Sequence, residues 1–208
     1  MIFKMIEKSL QILYNVPEGE DFMPSSIITK KIFADTLKNL MVSIPFAKIS
    51  VGDITKECGM NRNSFYYHFQ DKYELLNWIF LTEITREINT SEMSEISRWE
   101  LLDLISEYFY KNNVFYKNAL SYDGQNSFAE YLREFLKNLL EIRLEDVLEE
   151  DKDMEFKEFF LDFLLDAITS AIVRWIKSGA GRPPARFTKM MRKAITEGAM
   201  YVLLEDKP

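Results

Sequence analysis

The chain of 208 residues contains one cysteine, Cys58, and one histidine, His68. A single cysteine cannot form an intrachain disulfide, so we expect a reducing compartment, the cytoplasm. A single histidine leaves little material for a zinc site or a Ser-His-Asp triad, and we expect neither an enzyme nor a bound cofactor. No apolar run approaches the roughly 20 residues that a membrane helix needs, so no membrane partner is expected.

Glycine (7 residues) and proline (6 residues) are also scarce, and no proline occurs between Pro45 and Pro183. So long a proline-free stretch, rich in Leu, Glu, Lys and Phe, is typical of consecutive helices. The sequence shows neither strand-like alternation nor an internal repeat. We therefore predict an all-α fold.

Charge is distributed unevenly along the chain. The net charge is −7, yet seven Lys or Arg residues face only four acids between Pro24 and Lys72, which makes that segment +3 and leaves −10 for the rest. This segregation indicates a modestly basic working surface on an acidic body.

Linker-like and helix-capping residues divide the chain into three predicted regions. Residues 1–24 are predicted to be an N-terminal extension, because a short amphipathic stretch is followed by the linker PEGED and Pro24. Residues 25–72 form a head, and residues 73–208 a helical bundle. The head begins with a helix near 26–43 whose apolar face is expected to contain Ile28, Ile32, Phe33, Leu37, Leu40 and Met41.

The segment from Ile49 to Phe69 has the spacing of a helix-turn-helix. Ser50 and Asp53 can form a capping box at the start of one helix, and Gly59 follows where that helix must turn. Asn61 can then cap a second short helix two residues later. In such a motif the first helix crosses the DNA backbone and the second enters the major groove.

The second short helix carries side chains suited to a DNA groove. Arginine can pair with guanine and asparagine with adenine, whereas serine and tyrosine hydroxyls suit phosphate oxygens. Without the adjacent turn, an ordinary solvated helix face would be the better interpretation. The polar and aromatic residues of this helix are Asn61, Arg62, Asn63, Ser64, Tyr66, Tyr67 and His68.

The run from Ile27 to about Ile84 resembles the head of the TetR family of transcription regulators. It supplies Ser50-Val51, Asp53-Ile54, Gly59-Met60-Asn61, Phe65-Tyr-Tyr-His-Phe69 and Lys72-x-x-Leu75 in the register of the family pattern. Asn61 and Asn63 depart from the usual Ser and Gly, which bears on the bases that are recognised.

The resemblance implies contacts for individual residues. Ser50, Ser64, Tyr66 and Lys72 would hold phosphates. Arg62, Asn63, Tyr67 and His68 would lie near the groove, beside Asn61 at its entrance.

A TetR-type chain is further implied to be a homodimeric repressor that binds a near-palindromic operator in double-stranded DNA and is released by a small effector. The layout after Lys72 also resembles the DhaS-like branch, which implies an activator switched by a protein co-regulator as an alternative. From another class, a helical adaptor protein that does not bind DNA remains possible.

The long helix near 153–178 and the last helix near 184–204 bear wide apolar stripes. The family would use them for dimerisation, but an intrachain core fits the pattern equally well. Aromatic residues between Trp99 and Tyr131 are more often core than an effector pocket, and Arg174 is more often solvated than a ligand anchor. The weak candidates for an effector site are Tyr110, Tyr131, Arg174 and Trp175.

Overall fold

The computed structural model describes residues 25–90, 97–122, 124–144 and 154–204. These ranges contain nine α-helices, one 3₁₀ turn and no strand, which confirms the all-α prediction. The predicted extension 1–24 lies outside them. The helices are α1 (Ser25–Met41), α2 (Val51–Glu57), α3 (Arg62–His68), α4 (Lys72–Thr90), α5 (Arg98–Lys111), α6 (Asn113–Ala119), α7 (Phe128–Leu144), α8 (Met154–Lys177) and α9 (Pro184–Leu204), with the 3₁₀ turn at Phe46–Lys48.

The chain divides into two compact units. Residues 1–95 and 118–128 form the first, called here the head unit, and residues 96–117 and 129–208 form the second, the body unit. The head unit extends beyond residue 72 because α4 contributes fully buried side chains, among them Leu75 and Phe80.

The core of the head unit lies among the first four helices. Phe33 of α1 and Phe65 of α3 are fully buried and meet edge to face, with ring centroids 5.2 Å apart. The apolar face predicted for α1 was too wide: Ile28 and Ile32 are 48% and 38% exposed. Helix α1 packs mainly on α2, α3 and α4, and Phe33, Leu37 and Met41 form its buried face.

Asn118, near the C-terminal end of α6, ties the return segment 118–128 to the head unit. Its Oδ1 accepts a hydrogen bond from the Phe46 N–H (2.8 Å). Its Nδ2 donates to the carbonyl oxygens of Met41 (2.8 Å) and Ile44 (2.9 Å). One side chain therefore satisfies three backbone groups in the loop between α1 and α2.

The body unit is held by aromatic packing. Trp175 of α8 is 4% exposed and lies between two rings, Phe187 at 4.5 Å and Tyr110 at 6.4 Å between centroids. Tyr108 and Tyr116 are buried and share a hydrogen bond of 2.6 Å between their hydroxyls. Tyr108 and Tyr116, two of the aromatic residues between Trp99 and Tyr131, thus belong to the core.

Arg133 of α7 forms ion pairs with two acids one turn apart on α8, Asp162 at 2.8 Å and Asp166 at 2.6 Å. Both carboxylates are exposed, and Arg133 links α7 to α8 through them.

Candidate nucleic-acid interface

Helix α2 begins with the predicted capping box. The Ser50 Oγ accepts a hydrogen bond from the Asp53 N–H (3.2 Å), and an oxygen of Asp53 accepts from the Ser50 N–H (2.8 Å). These bonds satisfy two backbone donors that a helix start leaves open. Hydrogen bonds from Ser50 lower the pKa of Asp53, with smaller contributions from the charges of Lys56 and Arg62.

The turn between α2 and α3 also has the predicted geometry. Gly59 has a φ of +71°, a conformation that glycine adopts without a steric penalty. The Met60 N–H donates to the Thr55 carbonyl (2.9 Å) and closes the turn. Asn61 then caps α3, its Oδ1 accepting from the Ser64 N–H (2.7 Å).

Buried side chains fix the angle between the two short helices. Ile54 of α2 and Phe65 of α3 are both fully buried, as expected for residues that hold the motif together. Thr55 is buried between the helices, and its hydroxyl donates to the Val51 carbonyl (3.0 Å). Helix α3 is thereby fixed as a rigid body against α2.

The outward face of α3 is polar and aromatic. Tyr67 is 83% exposed and Tyr66 is 55% exposed. Asn61, Arg62 and Asn63 are exposed as well, whereas Ser64 is half-buried. The structure thus brings together on one short helix the side chains that the sequence proposed for DNA contact.

Arg62 does not extend freely from this face. Its guanidinium lies against Gly52 in the first turn of α2, where a β-carbon would be 2.4 Å from Nη2. The space left by the missing side chain of Gly52 is therefore occupied by Arg62.

His68 and Lys72 are more enclosed than the sequence suggested. His68, the last residue of α3, packs near Phe33, and burial, followed by the charge of Lys30, lowers its pKa. This environment disfavours the protonated form of the imidazole. Lys72 donates to the carbonyl oxygens of Phe46 (2.8 Å), Ala47 (3.2 Å) and Ile49 (2.7 Å), so it must give up one of these bonds to reach a phosphate.

The carbonyl contacts of Lys72 were missed at the level of sequence, as was the role of Asn118. Both depend on backbone groups more than 20 residues away, and no local pattern marks them.

Of the weak effector candidates, Tyr110 and Trp175 lie together in the body unit, with ring centroids 6.4 Å apart. The Trp175 N–H donates to the Arg182 carbonyl (3.0 Å), and its rings are enclosed. Tyr110 is 46% exposed at the edge of that stack. Arg174 is exposed, and Tyr131 is half-buried on α7.

The described residues contain neither a candidate metal site nor a helix suited to cross a membrane. No group of three or more His, Cys, Asp or Glu residues in these ranges could hold a metal ion. None of the helices within them has the length and apolarity needed to cross a membrane.

Comparison with known proteins matches both parts of the chain. Residues 35–79 match the family model "Bacterial regulatory proteins, tetR family", and residues 98–197 match "Transcriptional regulator C-terminal region".

Among curated proteins, the chain is 40% identical over 103 residues to the dhaKLM operon transcriptional activator DhaS of Lactococcus lactis. The match covers 49% of this chain and 54% of DhaS. The transcriptional regulator EthR of Mycobacterium tuberculosis is 37% identical over 59 residues, 28% of this chain and 26% of EthR. The chain thus spans about half the length of DhaS and a quarter of EthR in these matches.

Solved structures extend the likeness over most of the fold. The solved structure of the dihydroxyacetone kinase operon activator DhaS has a TM-score of 0.55 and 27% sequence identity to this chain. The match covers 80% of this chain and 93% of the DhaS chain. The structure of the fatty acid degradation regulator FadR from Bacillus halodurans has a TM-score of 0.56 and 14% sequence identity. The match covers 84% of this chain and 96% of the FadR chain, and at this identity it is evidence for the fold alone. With the motifs of α2 and α3 and the two family models in agreement, the chain belongs to the TetR family of transcription regulators.

Proposed function

We propose that this chain is a sequence-specific, DNA-binding transcription regulator that works as a cytoplasmic homodimer and catalyses no reaction. The observation that carries this proposal is the rigid pair α2 and α3 around Gly59, with the exposed face of α3 unobstructed at Asn63 and Tyr67. A helix held in this way can enter the major groove while its partner helix crosses the backbone.

The exposed residues of α3 divide by their chemistry. Asn63 is suited to adenine and Tyr67 to base edges or methyl groups, because both are exposed on the outward face. Ser50, Ser64 and Tyr66 carry hydroxyls suited to phosphates. Asn61, whose side-chain oxygen is already used as a cap, contributes mainly by fixing the start of α3.

The length of α3 supports the proposed dimer. Seven residues of helix extend about 10 Å, which covers only about three base pairs, too few for a specific site. Two heads about 34 Å apart would occupy successive major grooves of a near-palindromic operator.

The body unit offers a surface for this association. Phe156, Phe159 and Phe163 of α8 are 48%, 67% and 59% exposed, and Met190 of α9 is 50% exposed. Exposed aromatic residues repeated along a helix are typical of a face that another protein covers. We propose that a second copy of the chain covers it, as the family resemblance implied.

The direction of regulation is proposed from the relatives. DhaS is described as an operon activator, and its likeness extends over most of its structure, which favours activation over the repression expected from the family in general. The signal would act through the body unit, as a protein co-regulator or a small effector. Deleting the chain's gene separates the two directions: transcription of a neighbouring target falls for an activator and rises for a repressor.

Fluorescence anisotropy with a labelled duplex from the DNA upstream of the chain's own gene tests the DNA interaction. We expect affinity to fall steeply with salt, and Asn63→Ala to weaken specific binding by about tenfold per head, the loss of one good base contact in each head. Asn138→Ala, which removes an exposed side chain from the body unit, is the matched control. Binding without salt dependence, unchanged by Asn63→Ala, would reject the proposal in favour of a helical adaptor.

A further inference from the structure

Arg62 occupies an unusual position among the exposed residues of α3. A β-carbon placed on Gly52 would lie 2.4 Å from Nη2, 3.3 Å from Cζ and 3.4 Å from Nε of Arg62. Favourable contacts between such atoms begin near 3.5 Å. The guanidinium therefore lies beside the first turn of α2, and a side chain at position 52 would displace this flexible end of Arg62.

The backbone gives no other reason for a glycine at position 52. Among the glycines that the structure describes, only Gly59 and Gly179 have a positive φ. A glycine inside a helix is less favourable than alanine, because it loses more conformational freedom on folding. Gly52 thus weakens α2 intrinsically, and what the structure gains at this position is room for Arg62.

The location of Gly52 indicates which part of the DNA the guanidinium would meet. Gly52 lies in the first turn of α2, and α2 is the helix that crosses the phosphate backbone in helix-turn-helix complexes. Asn63 and Tyr67, by contrast, are exposed on α3 itself. A guanidinium matches the geometry of a phosphate through paired hydrogen bonds.

We infer that Arg62 binds a backbone phosphate and does not recognise a base, and that Gly52 is the positioning residue that permits this placement. The inference rests on the proposed DNA-binding function. It changes the expectation from sequence, in which Arg62 was a candidate for pairing with guanine. Base recognition by α3 then depends on Asn63 and Tyr67.

The experiment selects duplexes from a random DNA library with full-length wild-type protein, Arg62→Ala, Gly52→Ala and the double variant. Affinity is then measured by anisotropy over a KCl series, on the duplex that wild type selects and on a scrambled duplex of the same composition. Lys117→Ala, which removes an exposed positive charge from the body unit, is the matched control. Thermal unfolding of each variant is recorded in parallel.

For Arg62→Ala we expect the same selected motif as for wild type. Affinity should fall by about tenfold per head on both duplexes, the loss of one charged hydrogen-bonding contact in each head, and the salt slope should decrease by about 0.9 per head. Gly52→Ala should show a smaller loss of the same kind with no decrease in Tm, since alanine favours the helix. In the Arg62→Ala background it should have no further effect on affinity.

Other results overturn the inference. A selected motif that changes at one base pair for Arg62→Ala, or an unchanged salt slope, assigns Arg62 to base recognition or to no DNA contact. If Gly52→Ala lowers affinity as much in the Arg62→Ala background as it does in wild type, Gly52 does not act by positioning Arg62. If wild type selects no motif and binds neither duplex, the proposed function itself fails. If wild type binds and only the preference of Arg62→Ala changes, the proposed function stands and the inference about Arg62 fails.

Discussion

The head unit and the body unit differ in their most exposed aromatic residues. The head unit presents tyrosines at 66 and 67, which combine a ring with a hydroxyl, beside asparagine and arginine. The body unit presents phenylalanines at 156, 159 and 163, which have no polar atom in the side chain. A surface that meets a hydrated, charged polymer needs hydrogen-bonding groups, whereas a surface that packs against protein gains most by excluding water. Under the proposed function, the two units therefore present surfaces suited to two different partners, DNA and protein.

The largest effect should come from placing charge on the phenylalanine face. We expect the double variant Phe159→Glu/Phe163→Glu to convert the dimer to a monomer, raising its dissociation constant by at least about a hundredfold, because four carboxylates would be buried without partners. Sedimentation equilibrium measures the change. Val114→Glu alters a residue of the same unit that is 75% exposed on α6, and it should leave the dimer intact. A dimer that survives the double variant would show that the phenylalanine face is not the interface.

An intermediate effect is expected inside the head unit at Asn118. Asn118→Ala leaves three backbone groups without their partner, and we expect the free energy of unfolding to fall by about 2–3 kcal/mol. Urea denaturation followed by circular dichroism measures it. Asn138→Ala removes one exposed hydrogen bond in the body unit, to the Glu134 carbonyl, and should cost less than about 0.5 kcal/mol. Equal costs for the two variants would mean that apolar contacts alone hold segment 118–128.

The smallest effect compares two equivalent capping boxes, one in each unit. Ser50 caps α2 and Ser97 caps α5 with the same pair of hydrogen bonds. We expect Ser50→Ala and Ser97→Ala each to lower the free energy of unfolding by about 1 kcal/mol. Only Ser50→Ala should also weaken DNA binding in the anisotropy assay, since Ser50 lies at the proposed phosphate contact. A comparable loss of DNA affinity in Ser97→Ala would assign both effects to stability.

Sequence predicted those features whose cause is local. The capping box at Ser50, the left-handed turn at Gly59 and the cap at Asn61 each depend on residues within a few positions of one another, and all three are confirmed. They define the helix-turn-helix and therefore most of the candidate site.

Features that depend on distant parts of the chain were not predicted. Lys72 reaches carbonyl oxygens more than 20 residues away, and Asn118 reaches a loop more than 70 residues away. The ion pairs of Arg133 with Asp162 and Asp166 join residues about 30 positions apart, and no local pattern marks them. The exposure of Ile28 and Ile32 has a related cause, since helical periodicity gives the direction of an apolar face but not its width.

The placement of the three tryptophans gives each unit its own optical signal. Trp78 lies in the head unit, 5.9 Å from the ring of Phe69, while Trp99 and Trp175 lie in the body unit. The enclosed indole of Trp175 should emit at shorter wavelength than the half-buried indole of Trp78, because water cannot relax around it. Intrinsic fluorescence of a Trp78→Phe variant would then report on the body unit alone, and its difference from wild type on the head unit. The protein thus carries the labels needed to learn whether its two units unfold together or in sequence.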